Sequence, residues 1–284
     1  MEDLVIVGSG PAGLTAGIYA ARAGRRPLVL EGLESGGQLM QTQHVANYPG
    51  FPETVSGPAL IAAMRAQAEK AGVRFAMDVV ESVDFTGETK KLNTMMGDTL
   101  ETKAVILATG AGVTKTNLPG EAKYWGRGIS ACLTCDGAFY AGKRVIVVGE
   151  GPATQGAKSY LTRCGATVVA ILAPSEIASF DGDSAHFAGV SLKKAGSVPG
   201  ETGSVPAEGL FLVTARTPQT AFLKGALDLD ATGHVIVTGT KTSVPGVFAA
   251  GDCAHPRHKQ AVIAAGDGAM AALEALSFIA GGQK

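Results

Sequence analysis

The chain has few cysteines, few aromatic residues and almost no net charge, and each of these limits what it can be. Its 284 residues include 4 Cys and 1 Trp, and 24 Lys and Arg balance 25 Asp and Glu to a formal net charge of −1. Four cysteines are too few for a disulfide-stapled secreted scaffold. A balanced charge indicates neither nucleic-acid binding nor attraction to a membrane surface.

Long apolar runs are scarce as well. No run approaches the roughly 18 residues of a membrane span, and the acidic start Met1-Glu2-Asp3 is unlike a signal peptide. We therefore expect a cytoplasmic protein with no membrane span. Glycine, in contrast, is abundant at 39 residues, and the hydrophobic fraction of 46% allows a sizeable core, with length enough for two domains.

The first glycine-rich stretch lies between an apolar strand, Leu4–Val7, and a helix rich in small residues. In the sequence Gly8-Ser9-Gly10-Pro11-Ala12-Gly13, Gly8 allows a tight turn, Gly10 allows backbone to approach a pyrophosphate, and Gly13 allows close helix–strand packing. The helix N-terminus favours phosphates. The next strand ends at Glu31, which suits a bond to a ribose hydroxyl. The pattern predicts a dinucleotide-binding βαβ unit.

A second copy of this pattern follows in the middle of the chain. Lys143–Val148 is a predicted strand, Gly149-Glu150-Gly151-Pro152-Ala153-Thr154 a turn, Gln155–Arg163 a helix and Thr167–Leu172 a strand. An internal repeat of this kind indicates two related structural units. The following segment, residues 173–204, is predicted to be loop with one hairpin.

The last part of the chain returns to the first kind of structure. His234–Thr238 and Val247–Ala250 are predicted strands, Gly251-Asp252 follows the second, and Gln260–Ile279 is a long Ala-rich helix. The fold class is therefore α/β, with two Rossmann-like, doubly wound, three-layer domains. A dinucleotide-binding domain of residues 1–114 and 215–284 is interrupted by a smaller, shortened domain of residues 115–214.

Two cysteines stand three residues apart in Cys132-Leu133-Thr134-Cys135-Asp136-Gly137. Such spacing can lower a thiol pKa, and thiolates exchange with disulfides. Half of a zinc site is an alternative, but it needs a second pair, and Cys164 and Cys253 lie far apart. A pair without a role is another. We favour a redox pair and expect no metal.

Together these stretches resemble the low-molecular-weight thioredoxin reductases, in which a pyridine-nucleotide domain interrupts an FAD domain. The resemblance implies FAD in the first site, thioredoxin or a similar disulfide partner, and a homodimer. The matching stretches are Gly8–Gly13, Gly36–Leu39, Asn47–Pro52, Ala108–Ala111, Cys132–Tyr140, Val247–Asp252 and Lys259–Ala261.

The resemblance also implies roles for individual residues. Cys135 would take electrons from the flavin, Cys132 would attack the partner disulfide, and Asp136 would deliver protons. The implied cofactor residues are Gly8, Gly10, Pro11, Ala12, Gly13, Glu31, Gly37, Gln38, Asn47, Val80, Thr109, Gly110, Gly251, Asp252, Lys259, Gln260 and Ala261.

The second glycine turn departs from the family. Thr154 stands where Ala or Gly is expected, and its bulk opposes close helix–strand packing. Glu150 adds a carboxylate to a loop that should cradle phosphates. Ala173-Pro174-Ser175 replaces the His-Arg-Arg cluster that would hold the 2′-phosphate of NADPH. Productive NADPH binding is therefore not expected.

Without NADPH another molecule must supply the electrons. One interpretation is a thioredoxin reductase reduced by ferredoxin, and a second flavin in the altered nucleotide site is a related one. The alternatives are a dithiol oxidase that passes electrons from a dithiol to dioxygen, and a non-enzymatic flavin redox sensor. All of them keep FAD and the cysteine pair.

Overall fold

A large mixed sheet forms the first part of the protein, for which a computed structural model describes residues 1–194, 203–214 and 216–281. Its strands run in the order β3-β2-β1-β6-β5-β4, and the central strands β2, β1 and β6 are parallel. The elements up to the first crossing are β1 (Glu2–Val7), α1 (Pro11–Arg22), β2 (Leu28–Leu30), α2 (Gly57–Ala71), β3 (Arg74–Ala76), β4 (Val80–Asp84), β5 (Lys90–Thr94), β6 (Thr99–Leu107) and β7 (Ala111–Val113).

The middle of the chain forms a parallel sheet of its own, in the order β10-β9-β14-β8, beside a three-stranded antiparallel sheet of β11, β12 and β13. The prediction of two Rossmann-like α/β units is confirmed. The elements are α3 (Glu121–Tyr124), β8 (Ile129–Ser130), α4 (Leu133–Asp136), β9 (Arg144–Gly149), α5 (Pro152–Arg163), β10 (Thr167–Leu172), β11 (Ile177–Gly182), β12 (Phe187–Leu192), β13 (Ser204–Pro206) and β14 (Gly209–Val213).

The antiparallel sheet corrects the prediction of a loop with one hairpin over residues 173–204, of which residues 195–202 lie outside the described part. Strands form here because apolar residues of all three strands pack into one core cluster. Phe180, Phe187, Val190 and Val205 all belong to it and are buried. Burial of one apolar face stabilises a sheet even where turn-forming residues interrupt the pattern.

The chain crosses between the two sheets at a short ribbon. β15 (Arg216–Pro218) pairs antiparallel with β7, and β16 (Val247–Ala249) then adds to the large sheet beside β6. The crossings lie beside the predicted domain boundaries at residues 114/115 and 214/215. These boundaries stay a prediction, and residue 215 itself lies outside the described residues.

The predicted strand His234–Thr238 was wrong. Only isolated bridges form here, between Leu229 and Val235 and between Thr238 and Lys241. Gly233 and Gly239 adopt φ values of +88° and +65°, which bend the backbone away from an extended path on both sides of the segment. The segment therefore follows tight turns instead of a continuous ladder.

The last helix, α6 (Ala261–Ile279), corrects the expectation that no segment is long and apolar enough to span a membrane. By length and composition alone this one helix of the described residues passes, with 19 residues and a mean hydropathy of 1.5. A Cβ added at Gly268 would lie 2.1 Å from the carbonyl oxygen of Ala12, so α6 and α1 are in backbone contact. With Ala264, Ala271 and Ala275 buried, α6 has the position of a core helix.

Candidate active site

The first glycine turn is shaped by contacts that only glycine permits. Gly8 has a φ of +112°, and a Cβ on it would lie 2.3 Å from the carbonyl oxygen of Ala108. A Cβ on Gly13 would lie 1.8 Å from the carbonyl oxygen of Gly8, whereas one on Gly10 would meet nothing within 4 Å. The turn therefore packs tightly against the sheet and leaves open space at Gly10.

Helix α1 presents its N-terminus to the same open space. It is 12 residues long and begins at Pro11, and no side chain caps its first N–H groups. Gly37, from the next loop, approaches within 3.5 Å of the Cα of Gly10, measured from an added Cβ. Free N–H groups and the positive end of the helix dipole form a site for phosphate oxygens.

Glu31, which follows β2, lines the same open space as Gly10. Only 9% of it is exposed, and its carboxylate forms an ion pair with Arg65. Arg65 lies over the ring of Phe75, 4.2 Å from its centroid, and bonds Glu69 at 2.9 Å. The carboxylate at the end of β2 is thus held in a fixed position.

One cavity of about 1470 Å³ joins these features to the cysteine motif. All the predicted cofactor residues line it except Gly13, which lies behind the turn, and so do Cys132, Cys135 and Asp136. The buried Thr109 hydroxyl on its wall has no hydrogen-bond partner among the described residues. A glycine cradle, a helix N-terminus, a carboxylate for a ribose and an unpaired hydroxyl fit FAD.

The far end of the cavity is built around Asp252 and α6. Gly251 has a φ of +74°, and a Cβ on it would lie 3.1 Å from that of Ala12, which brings this segment close to α1. Burial raises the pKa of Asp252, and the neighbouring Lys259 and Arg216 oppose the rise. Charged groups of both signs therefore meet at this end of the cavity.

The redox motif lies against the N-terminus of α6. A disulfide joins Cys132 and Cys135, so in this state neither sulfur is free to bind zinc. The Gln260 side chain, at the start of α6, lies with its Nε2 3.9 Å from Cys132 Sγ and donates a hydrogen bond of 2.9 Å to Thr134 Oγ1. Asn47 Nδ2 donates to Gln260 Oε1 at 3.2 Å. Residues of the loop before α2, of α4 and of the start of α6 thus meet at the disulfide.

Asp136 occupies a partly buried site behind the disulfide. Ser130 Oγ donates to its Oδ2 at 2.5 Å and accepts from the Cys132 N–H at 3.0 Å. Burial raises the pKa of Asp136, while the Ser130 hydrogen bond and the nearby His44 oppose the rise. The His44 ring packs on Phe139 with 5.5 Å between centroids. Asp136 therefore keeps a proton to higher pH than an ordinary aspartate.

Arg216 is a site residue that sequence reasoning missed, as are Ser130 and His44. Its guanidinium donates from Nη1 to Gln38 Oε1 at 2.9 Å and from Nη2 to the Ala131 carbonyl at 3.0 Å. Burial lowers its pKa, and Asp252 opposes that change. Arg216 thereby joins the loop that carries Gln38 to Ala131, the residue before Cys132. Its place at the return crossing is the one sequence signal that could have pointed to it.

The second glycine turn has a different chemistry. A Cβ on Gly149 would lie 2.4 Å from the Val213 carbonyl oxygen, so this glycine is also required. Thr154 is buried at 4% exposure, and its hydroxyl donates to the Gly151 carbonyl at 2.8 Å. The expectation that its bulk opposes packing was wrong, because the turn accommodates the side chain and bonds its hydroxyl.

Two carboxylates mark this second turn and the end of the next strand. The Glu150 side chain is exposed in the turn. After β10, Glu176 Oε2 accepts the Ala173 N–H at 2.7 Å, and the Lys193 N–H donates to the Glu176 carbonyl at 2.9 Å. The Glu176 carboxylate therefore lies beside Ala173, just after the end of β10.

Comparison with known proteins agrees with this geometry. A profile of the pyridine nucleotide-disulphide oxidoreductase family matches residues 2–197 and 169–268. A thioredoxin reductase of Streptomyces coelicolor is 38% identical over 99% of this chain and 94% of its own. A bifunctional thioredoxin reductase/thioredoxin of Mycobacterium leprae is 36% identical over 99% of this chain and 66% of its own.

Solved structures give the same result. The thioredoxin reductase of Streptococcus pyogenes superimposes with a TM-score of 0.91 at 30% identity, covering 99% of both chains. With a family profile over most of the chain and full-length relatives at this identity, the family is shown. The chain therefore belongs to the low-molecular-weight thioredoxin reductases within the pyridine nucleotide-disulphide oxidoreductases, and is a flavoprotein oxidoreductase that acts on disulfides.

Proposed function

We propose that the chain passes electrons between FAD and the Cys132–Cys135 disulfide, and on to thioredoxin or a similar partner. The observation that carries this proposal is the contact of Gln260, a residue of the cofactor cavity, with Cys132 and Thr134. FAD bound in the cavity supplies a reversible two-electron carrier. The M. leprae relative, whose name joins a reductase to a thioredoxin, supports the choice of partner.

The cysteine pair takes up two electrons and two protons and passes them to the partner disulfide. Two electrons and two protons convert the Cys132–Cys135 disulfide into two thiols. The Cys132 thiolate then attacks the partner disulfide, and Cys135 attacks the mixed disulfide, which closes the bridge again and releases the partner as a dithiol. Asp136 lies beside this pair with a raised pKa, which suits it to donate a proton to a leaving thiolate.

We further propose that NADPH is not the electron donor. Glu150 in the second turn and Glu176 after β10 place carboxylates where phosphates would bind. The sequence between Arg163 and Arg216 contains no arginine, and arginine is the side chain that grips a phosphate with two parallel hydrogen bonds. A ferredoxin-type one-electron donor is the candidate that we favour, with a second flavin in the altered site as its variant.

An anaerobic titration of the purified holoprotein tests the donor. NADPH, NADH and a reduced ferredoxin are added in turn while flavin bleaching is followed, and thioredoxin is then added and its thiols are counted. We expect bleaching by reduced ferredoxin and thiol release, and no bleaching by micromolar NADPH. Rapid bleaching by NADPH would overturn the proposal about the donor and leave the disulfide reaction intact.

Two controls separate the remaining alternatives. Cys135→Ser should still bleach and release no thioredoxin thiols, because one thiol cannot resolve the mixed disulfide. Peroxide release with a small dithiol in air, without thioredoxin reduction, would favour the dithiol oxidase. Bleaching without either product would favour a redox sensor.

We also propose a homodimer. Four large apolar side chains of α6 lie on one face and are exposed: Val262 (42%), Ile263 (36%), Met270 (46%) and Leu273 (56%). An apolar stripe on a core helix is typical of a subunit interface. Light scattering after size-exclusion chromatography should give twice the chain mass of 28.7 kDa. Leu273→Glu should lower the measured mass to that of one chain. A wild-type protein that already has the mass of one chain would refute the dimer.

A further inference from the structure

A buried histidine outside the predicted site contacts a lysine of the cofactor cavity. His234 is 4% exposed, and its Nε2 lies 3.0 Å from the Nζ of Lys259. Lys259 lines the cavity that fits FAD. No role in the proposed reaction accounts for a buried imidazole at this position.

The hydrogen bonds around His234 fix which of its ring nitrogens carries the proton. Asp230 Oδ1 accepts from Thr232 Oγ1 at 2.8 Å, and an ionised carboxylate can only accept. Burial raises the pKa of Asp230, but its hydrogen bonds to Thr232 and His234 outweigh that and keep it lowered, so the carboxylate is ionised. The Thr232 hydroxyl hydrogen is therefore used on Asp230.

The direction of the hydrogen bond between Thr232 and His234 is thereby determined. Thr232 Oγ1 lies 2.7 Å from His234 Nδ1 and, with its hydrogen committed, must accept there. Nδ1 therefore carries the proton, and Nε2 is left with a lone pair. Because Nε2 can then only accept, the contact at 3.0 Å is a hydrogen bond donated by the Lys259 ammonium.

The backbone holds this arrangement in place. Asp230 Oδ1 also accepts the N–H groups of Thr232 and His234, at 2.8 Å and 2.9 Å, and the Asp230 N–H donates to the His234 carbonyl at 2.8 Å. Asp230 Oδ2 lies 3.7 Å from His234 Nδ1. The turn from Asp230 to His234 therefore sets the ring orientation before any ligand binds.

Among the described residues, Lys259 Nζ has two hydrogen-bond acceptors, and both are neutral groups. One is the imidazole, and the other is the main-chain oxygen of Asp252 at 3.4 Å. A carboxylate partner at hydrogen-bond distance would cancel the ammonium charge, whereas a neutral imidazole positions it and leaves the charge to act on a ligand. The charged and titratable groups that face Lys259 and His234 are Asp230, Asp252, Arg216 and Cys253.

We propose that His234 is a positioning residue, which holds the Lys259 ammonium at the cofactor cavity through the directed chain Lys259–His234–Thr232–Asp230, with no carboxylate of the described residues hydrogen-bonded to it. The inference rests on the proposed binding of FAD in this cavity. A fixed positive charge favours a bound ligand with more negative charge, so it strengthens FAD binding and favours the reduced cofactor. Protonation of His234 would remove the acceptor and place a second positive charge beside Lys259.

Two properties of the holoprotein test the chain of hydrogen bonds without any turnover. Nitrogen-15 correlation spectra of the histidine rings should show His234 protonated at Nδ1 and not at Nε2, its signal being assigned by its loss in His234→Gln. Burial, and then the neighbouring Lys259, lower the pKa of His234, so this form should persist below the usual histidine range. A ring protonated at Nε2 would overturn the proposal.

Four variants test the consequence for the cofactor. His234→Leu should weaken FAD binding about tenfold and shift the flavin midpoint potential to more negative values, as Lys259→Met does. His234→Gln offers an amide oxygen near the position of Nε2 and should stay within about twofold of wild type. Thr232→Val, at an exposed position, should give a smaller shift in the same direction.

The outcomes separate the two proposals. If the wild type binds no FAD, the proposed function fails whatever the histidine spectrum shows. If the wild type binds FAD and His234→Leu, still folded by circular dichroism, keeps both the affinity and the potential, His234 has no positioning role. Equal losses in His234→Gln and His234→Leu would likewise overturn it.

Discussion

The two glycine turns of this protein start from the same backbone and differ in what surrounds it. In both turns the first glycine cannot be replaced, because a Cβ would lie 2.3 Å from a carbonyl oxygen at Gly8 and 2.4 Å at Gly149. The two turns differ at the third glycine position of the pattern, which is Gly13 in the first and Thr154 in the second. A Cβ on Gly13 would lie 1.8 Å from a backbone oxygen, whereas Thr154 carries a whole side chain there and bonds it.

The charges differ more than the shapes do. In the first unit, the strand after the turn is followed by Glu31, which is buried and paired with Arg65, at the place that suits a ribose. The second has an exposed carboxylate, Glu150, inside the turn itself. Backbone shape is thus retained where the sheet demands it, while the phosphate-binding function depends on side chains that can change without loss of the fold.

Exchanging the third residues of the turns should give the largest effect. Gly13→Thr forces a Cβ into the Gly8 carbonyl, so we expect at least a hundredfold loss of FAD affinity, and protein that purifies without flavin. The matched variant Thr154→Gly should keep its flavin and lose about 1 kcal/mol of stability. The ratio of flavin absorbance to protein measures both. A yellow, stoichiometric Gly13→Thr protein would contradict the proposed role of the turn.

Within the central unit, the second glycine turn carries the exposed Glu150, whereas the disulfide has the partly buried Asp136 beside it. Asp136→Asn should lower disulfide turnover about a hundredfold with unchanged flavin content, because the amide cannot donate the proton. Burial raises the pKa of Asp136, so wild-type turnover should fall as pH rises through that raised value, above the usual aspartate range.

The sign of the stability effect is fixed by the same shift. Over the interval between the ordinary and the raised pKa, the folded protein binds more protons than the unfolded chain, so stability falls as pH rises. Asp136→Asn should abolish that fall. Asp98→Asn, at an exposed turn, is the control, and a pH–rate profile that is the same for all three proteins would reject the role of Asp136.

Glu31 and Glu69 allow a sharper test of the first turn, since both bond Arg65 and only Glu31 lines the cavity. Glu31→Gln should weaken FAD binding about tenfold through the loss of a charged acceptor. Glu69→Gln should leave it unchanged. Titration of apoprotein with FAD gives both dissociation constants, and equal effects would mean that Glu31 acts only through Arg65.

The smallest effect is expected at the second turn. Glu150→Gly removes one carboxylate from the turn in which a phosphate would bind and should raise NADPH affinity about fivefold, since one exposed charge contributes on the order of 1 kcal/mol. Glu81→Gln, exposed on the large sheet, should have no effect. Fluorescence titration with NADPH measures the change. An unaltered affinity would show that charge is not what distinguishes the turns.

The sequence predicted those parts of the site that are written in consecutive residues. Gly8–Gly13 and Cys132–Asp136 are local patterns whose spacing itself indicates the chemistry. Arg216 could not be found in this way, because its bond to Gln38 joins residues 178 positions apart. Tertiary contacts of that kind leave no periodic signal.

The fold errors have a similar cause. His234–Thr238 has the composition of a strand, but glycines at positive φ and the turn at Asp230 prevent a ladder. Residues 177–192 contain turn-forming residues and yet form β11 and β12, because the apolar faces of the two strands pack into a common core. Propensity is a weak guide where packing decides.

The ribbon of β7 and β15 has a mechanical consequence. The unit that carries the disulfide is joined to the rest of the protein through two paired strands of three residues each. A rotation of that unit would therefore twist this ribbon and break no strand pairing in the large sheet or in the central parallel sheet. Arg216 sits on that ribbon, and its guanidinium grips Gln38 on one side and Ala131 on the other. Arg216 and Gln260, whose side chain bonds Thr134, therefore tie the unit that carries the disulfide to the cofactor cavity, and any rotation of that unit would have to break both contacts.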